Sequence, residues 1–147
     1  MLKKEIEYKD FFGETQKGTF YFHLTETELV EYEADHATGG GVANMLKRLV
    51  DIEDPKQLLT EFQNFILMSY GERSADGQYF DKHPDITARF KNHAAFNALF
   101  LEVASSADSA ADFFLGVLPE EYVKQIREDE PGLVAAAFQP PAPPTNS

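Results

Sequence analysis

Between Phe20 and Leu29 the chain changes from the pattern of a strand to that of a helix within two positions, and this switch constrains the fold more than any other segment. Phe20, Phe22 and Leu24 alternate with Tyr21 and His23, the period-two pattern of a strand with one buried face. Thr25 is placed to cap a helix through its hydroxyl, and Glu28, three residues on, to reach back to the Thr25 N–H. Leu24 and Leu29 occupy the N′ and N4 positions of a hydrophobic staple. A strand that feeds straight into a helix sets the architecture of the N-terminal third.

The rest of the chain reads as helices punctuated by turn residues. Residues 3–11 and 17–24 form the two strands of an antiparallel hairpin, with Ile6 and Tyr8 alternating on the first and Gly13 in the connection, where positive φ is cheap. The helix after Thr25, about 26–34, is short and acidic, with Leu29, Val30 and Tyr32 expected to face inward. Gly39–Gly41 breaks the chain, and Val42, Met45, Leu46, Leu49 and Val50 then follow amphipathic helical spacing. Asp54-Pro55 starts the next helix as N-cap and N1. Its last two turns, through Phe62, Phe65, Ile66, Leu67 and Met68, are apolar nearly all round, which predicts a path through the centre of the domain.

Gly71–Pro84 is polar and reads as a loop. Helical pattern resumes at 85–92 and 94–104, and Ser105 or Ser106 can cap a helix holding Ala110, Phe113, Phe114 and Val117. Pro119-Glu120-Glu121 opens a last helix that Pro131-Gly132 ends. The fold class is therefore α+β: an N-terminal antiparallel hairpin packed on a mostly α-helical domain of about six helices. The domain is expected over 1–130, with a disordered Ala/Pro-rich tail over 131–147, where proline cannot propagate a helix.

Charge and cysteine content narrow the function classes. Thirteen basic against twenty-five acidic residues leave a formal charge of −12. That argues against nucleic acid and against anionic membrane surfaces, both of which need clustered Lys and Arg. With no cysteine there is no thiolate nucleophile and no disulfide; the thirteen Phe supply the core instead. No apolar run approaches the length of a membrane span, and Met1-Leu2-Lys3-Lys4-Glu5 lacks the apolar region of a signal peptide, so the chain is expected to be soluble and to stay where it is made.

Catalytic and metal-binding patterns are absent from the sequence. His23, His36, His83 and His93 show neither an HExxH element nor i, i+4 pairing, and surface or capping roles are expected for them. The three glycines at 39–41 lack the Gly-Lys-Ser/Thr ending of a phosphate loop. Around Asp76-Gly77 a calcium loop would need a bidentate Glu where His83 stands, so a turn explains those residues better. No cofactor and no enzymatic role is expected. One segment, Phe113 to Leu118, is too apolar for a short helix to bury on one face. Either it is a second central helix, or Phe113, Phe114, Val117 and Leu118 leave apolar surface for a partner helix.

Taken together, these residues resemble the tail assembly chaperones of long-tailed bacteriophages, in particular those of phages and prophages of Gram-positive hosts. The resemblance rests on an ordered set. It includes Tyr8 with Asp10-Phe11-Phe12-Gly13, Phe20 to Thr25 with Glu28-Leu29, and the break at Gly39–Gly41. Next come Phe65-Ile66-Leu67-Met68-Ser69-Tyr70-Gly71-Glu72-Arg73-Ser74 with Asp76-Gly77 and Phe80, then Ala95-Phe96 through Leu99-Phe100, Ala110-Ala111-Asp112-Phe113-Phe114 and Val117-Leu118-Pro119. It covers about residues 3–119, and the Ser-Tyr-Gly-Glu-Arg-Ser run followed by Asp-Gly and Phe is its most specific part.

The resemblance implies a non-enzymatic protein of the host bacterial cytoplasm, not expected in the mature virion. It would bind the phage tape measure protein, keep it soluble and help recruit the major tail-tube protein. It also implies a short form and a longer, frameshifted form, and the Pro-rich stretch from Gln139 would suit the end of the short one. The outer hairpin edge offers a route to self-association. A tail or head-tail connector subunit retained in the virion, and an acidic mimic of DNA, are the competing readings. The Phe-rich globular pattern argues against the second.

Overall fold

The computed structural model describes residues 1–35, 51–129 and Gly132. The glycine break at 39–41, the helix expected after it, His36 and the tail beyond Gly132 lie outside the described residues. Strands β1 (Leu2–Lys9) and β2 (Thr15–Phe22) form the hairpin, and α1 (Glu26–Asp35) follows. After α2 (Pro55–Ser69) come two short strands, β3 (Tyr70–Arg73) and β4 (Phe80–Asp81). The helices α3 (Pro84–Lys91), α4 (Ala94–Ala104), α5 (Ala107–Val117) and α6 (Glu120–Asp129) complete the described chain. The α+β class, with an N-terminal antiparallel hairpin on a helical domain, is what the sequence pattern implies.

The strand-to-helix switch is built as its residues dictate. Phe22 and Leu24 are buried, and Leu24 N–H donates to Val117 O at 2.8 Å, tying the end of the hairpin to the end of α5. Thr25 Oγ1 accepts from Glu28 N–H at 3.2 Å, and Glu28 Oε1 accepts from Thr25 N–H at 3.0 Å. This is a reciprocal capping box, with Leu24 and Leu29 both buried as the staple requires. Val30 departs from expectation: it is exposed, and Leu29 and Tyr32 pack in or against the core instead.

Gly71–Pro84 is not all loop. The sheet has four strands in the order β1-β2-β3-β4, all antiparallel, with Tyr21 opposite Gly71 and Phe22 opposite Tyr70. Strands of four and two residues are too short to carry a readable alternation; β3 forms because the β2 edge offers it partners, and β4 then pairs with β3. Glycine at 71 follows from close packing. A Cβ there would meet Phe80 Cε2 at 2.8 Å and the Asp81 carbonyl oxygen at 3.0 Å, so a side chain would push β4 away. The expected turn at Asp76-Gly77 is present: Asp76 Oδ1 accepts from Ser74 Oγ and Gln78 N–H, and Gly77 adopts φ 74°.

Helix starts also match local chemistry. Asp54 accepts from Lys56 N–H ahead of Pro55, and Ser106 Oγ accepts from Ser109 N–H. His83 and His93 are both N-caps, their Nδ1 atoms accepting from Asp85 N–H and Ala95 N–H. The core is a stack of rings: Phe22 lies against Tyr70, Phe90 and Phe113, and Tyr70 stacks on Phe90 at 3.8 Å between centroids. Helix α2 covers this stack without running through it, since only Ile66 and Ser69 of its residues are fully buried.

Candidate functional site

Helix α5 occupies the centre that α2 was expected to fill. Phe113, Phe114, Val117 and Leu118 are each no more than 3% exposed, and Phe114 stacks on Phe65 with centroids 4.8 Å apart. The apolar excess of this segment is used to build the core. A partner would have to open the fold to reach the two phenylalanine rings. Of the four, Leu118 alone contributes to an open depression.

That depression is a groove of about 640 Å³ between α5, α6 and Met1. Leu115, Leu118 and Val123 give it apolar lining, while Gly116 lets Leu2 approach α5, with a Cβ there meeting Leu2 Cδ1 at 3.1 Å. Lys124 and Arg127 line it as exposed cations that form no ion pair among the described residues. Asp112, Glu120 and Glu128 line it as well.

Among the described residues the most exposed phenylalanines are elsewhere. At the β1–β2 turn Phe11 is 86% exposed and Phe12 93% exposed. The turn that holds them out is well built. Asp10 Oδ1 accepts from Phe12 N–H and Glu14 N–H at 2.9 Å each, Asp10 Oδ2 accepts from Gln16 Nε2, and Gly13 adopts φ 84°. The Gln16 amide, followed by the Glu14 N–H, holds the Asp10 carboxyl below its usual range. The two rings therefore project from a fixed loop. Strand β3 runs antiparallel to β2, so the β3–β4 turn, with exposed Tyr79, lies at the same end of the sheet. The sequence pattern carries the first strand through Phe11 with Gly13 in the connection, whereas β1 ends at Lys9 and Asp10 to Gly13 form the turn; the available signal was two adjacent Phe bracketed by turn-forming Asp and Gly.

Among the described residues no group of three His, Asp or Glu side chains is placed to hold a metal ion. His23 is a perturbed imidazole. Burial pushes it below its ordinary value of 6.5, with the N-terminal amine and Lys82 adding in the same direction and Glu28 and Glu26 opposing. Its Nδ1 is buried without a hydrogen-bond partner among the described residues. A lowered folded-state pKa means that the unfolded chain takes up the proton first, so stability is held above about 6.5 and lost as pH falls through the folded value. The urea midpoint is expected to fall between pH 7.5 and 5.5, and to fall less in His23→Asn. An equal fall in the variant would clear His23.

A profile of the phage tail assembly chaperones matches residues 1–146. The chain belongs to that family. No curated protein and no solved structure matches it. For a tail assembly chaperone, exposed apolar groups on a fixed loop are of more use than a reactive cleft, because its task is to engage other tail proteins during assembly. No helix among the described residues is long and apolar enough to cross a membrane.

Proposed function

We propose that this chaperone binds the tape measure protein of its phage, keeps it soluble before assembly in the host cytoplasm, helps recruit tail-tube subunits, and is absent from the finished virion. The observation that carries this reading is the family match over residues 1–146. Physical support comes from the surface. A long helical partner with apolar stripes aggregates unless those stripes are covered, and the exposed Phe11–Phe12 pair and the α5–α6 groove supply apolar area for that purpose. The net charge of −12 keeps such a complex dispersed. The test is co-expression with the tape measure protein encoded nearby in the genome, scoring its solubility and co-purification. Rescue of an otherwise insoluble tape measure protein is the expected result. A tape measure protein that stays insoluble, together with this chain in purified virions, would assign it to the tail structure instead.

A further inference from the structure

The hydrogen bonds of the hairpin decide which backbone groups β1 has left to offer. His23 N–H donates to the opposite Ser69 O, just ahead of β3, so His23 and, counting back by twos, Tyr21 and Thr19 turn their backbone groups toward β3. Phe22, Phe20, Gly18 and Gln16 therefore bond to β1, opposite Leu2, Lys4, Ile6 and Tyr8. Asp10 N–H donating to Glu14 O, in the same register, gives the same parity from the turn end of the hairpin. What remains is Lys3, Glu5, Glu7 and Lys9, whose N–H and C=O groups point outward from the sheet. Strand β1 is the end strand, and among the described residues no further backbone hydrogen bond reaches these four.

Their side chains are exposed on the solvent face in the order basic, acidic, acidic, basic. Charges on an edge strand guard against unwanted pairing, and this order guards against copies of itself. Two β1 strands paired antiparallel over their full length would set Lys3 against Lys9 and Glu5 against Glu7, and like charges directly opposite are destabilising. Slipping the pair by two residues sets Glu5 against Glu5 or Glu7 against Glu7. A second copy is therefore a poor occupant of this edge. A strand that reads acidic, basic, basic, acidic meets an opposite charge at all four positions. It does so in either direction, because the order is the same from both ends. Lys17 on β2 stands opposite Glu7 and 3.5 Å from Glu5, one cation for two carboxylates, so the middle of the edge still favours a basic neighbour. On the inner face Ile6 is buried and Leu2 and Tyr8 pack against the core, with α4 running beneath β1 from His93 against Tyr8 to Glu102 paired with Lys4. The alternate side chains of an added strand point to that side, where apolar residues suit.

We propose that the outer edge of β1 receives an extended segment of a partner tail protein, in which apolar residues alternate with charged ones in the order acidic, basic, basic, acidic. The segment extends the sheet beyond β1, held by backbone hydrogen bonds to Lys3, Glu5, Glu7 and Lys9 and selected by its charges. This contact is separate from tape measure binding, and its test needs no tape measure protein.

The probe is an end-blocked peptide, Glu-Val-Lys-Val-Lys-Val-Glu, added to the full chain while amide exchange is followed residue by residue by NMR. In the free chain the amides of Lys3, Glu5, Glu7 and Lys9 should exchange fast at every protein concentration, between slow amides at Lys4, Ile6 and Tyr8. Peptide at about 1 mM should slow those four at least tenfold, which corresponds to a Kd of about 0.1 mM. Two control peptides should slow them less than twofold. One has the charges exchanged, Lys-Val-Glu-Val-Glu-Val-Lys; the other is N-methylated at both lysines and keeps every charge but cannot donate the central hydrogen bonds. The variant Glu5→Lys with Glu7→Lys should lose the response to the first peptide. Both positions are exposed and the Glu5–Lys17 pair is a surface one, so thermal melting should be unchanged, and this is checked first. Slowing below twofold by the first peptide overturns the proposal, and so does equal slowing by either control. Amides of the four that are already slow in the free chain overturn it as well. If that slowing grows with protein concentration, a second copy occupies the edge; if it does not, the chain covers its own edge.

Discussion

Phe114→Ala is expected to lower the unfolding free energy by about 3–5 kcal/mol, the range for deleting a buried aromatic ring when the site cannot collapse around the void. Phe114 is 2% exposed and stacked on Phe65, and neighbouring Phe113 packs edge-on against Phe22 and Phe65. For a domain of this size that loss moves the melting temperature by roughly 10–20 °C. Urea and thermal unfolding followed by circular dichroism measure both. A loss below about 1 kcal/mol would mean that α5 is not packed as described, since surface substitutions fall in that range. The prediction also decides how partner binding should be probed. Charged substitutions at Phe113 or Phe114 would unfold the chaperone, so a loss of the proposed tape measure rescue in them says nothing about docking. Phe11 and Phe12 are the informative positions, because no packing is lost when they change.

The same dipeptide, Phe-Phe, has opposite fates at 11–12 and 113–114, and this shows where sequence reasoning stops. Apolar excess says that a surface must be covered, not what covers it. Phe113-Phe114 sits on a helix that tertiary packing surrounds with Phe22, Phe65 and Ile66, residues far away in the chain. Phe11-Phe12 sits on a turn whose hydrogen bonds are local, and no long-range element among the described residues comes to meet it. Features set by neighbours within a few residues were legible. The capping box at Thr25 and Glu28, the caps at Asp54 and Ser106, the capping histidines and the Asp76-Gly77 turn are of this kind. Strands β3 and β4 were not, because β3 forms on the edge of β2, some fifty positions away in the chain, and β4 in turn forms on β3. The groove was half legible: Leu118 was named for its apolar run, but the depression exists only where α6 folds back beside Met1.

Lys82→Ala should cost about 2–3 kcal/mol, close to the upper range for a hydrogen-bonded charged group. Lys82 follows β4 and reaches the strand-to-helix junction, where its Nζ donates to Glu28 Oε2 at 2.6 Å, Glu28 Oε1 at 2.8 Å and His23 O at 2.5 Å. Its side chain is 18% exposed and that of Glu28 27%, so solvent screens this pair less than it screens an ordinary surface bridge. Burial pushes the Lys82 ammonium below its ordinary value of 10.5, and the Glu28 carboxylate pulls it back only in part. The pair therefore gains little over an apolar substitute. Breaking it is nevertheless costly, because Glu28 would keep a poorly solvated charge and the His23 carbonyl would lose its donor. The asymmetry has a measurable signature in urea unfolding. Lys82→Ala should be strongly destabilised, whereas the double change Lys82→Met with Glu28→Gln should recover most of the loss. The new amide keeps an acceptor for the Thr25 N–H, and the unbranched thioether replaces the packed lysine stem. If the double variant is as unstable as Lys82→Ala, the bridge to the His23 carbonyl is what holds β4 to the junction. If Lys82→Ala itself is near neutral, the ion pair does not form in solution and α1 is held by its capping box alone.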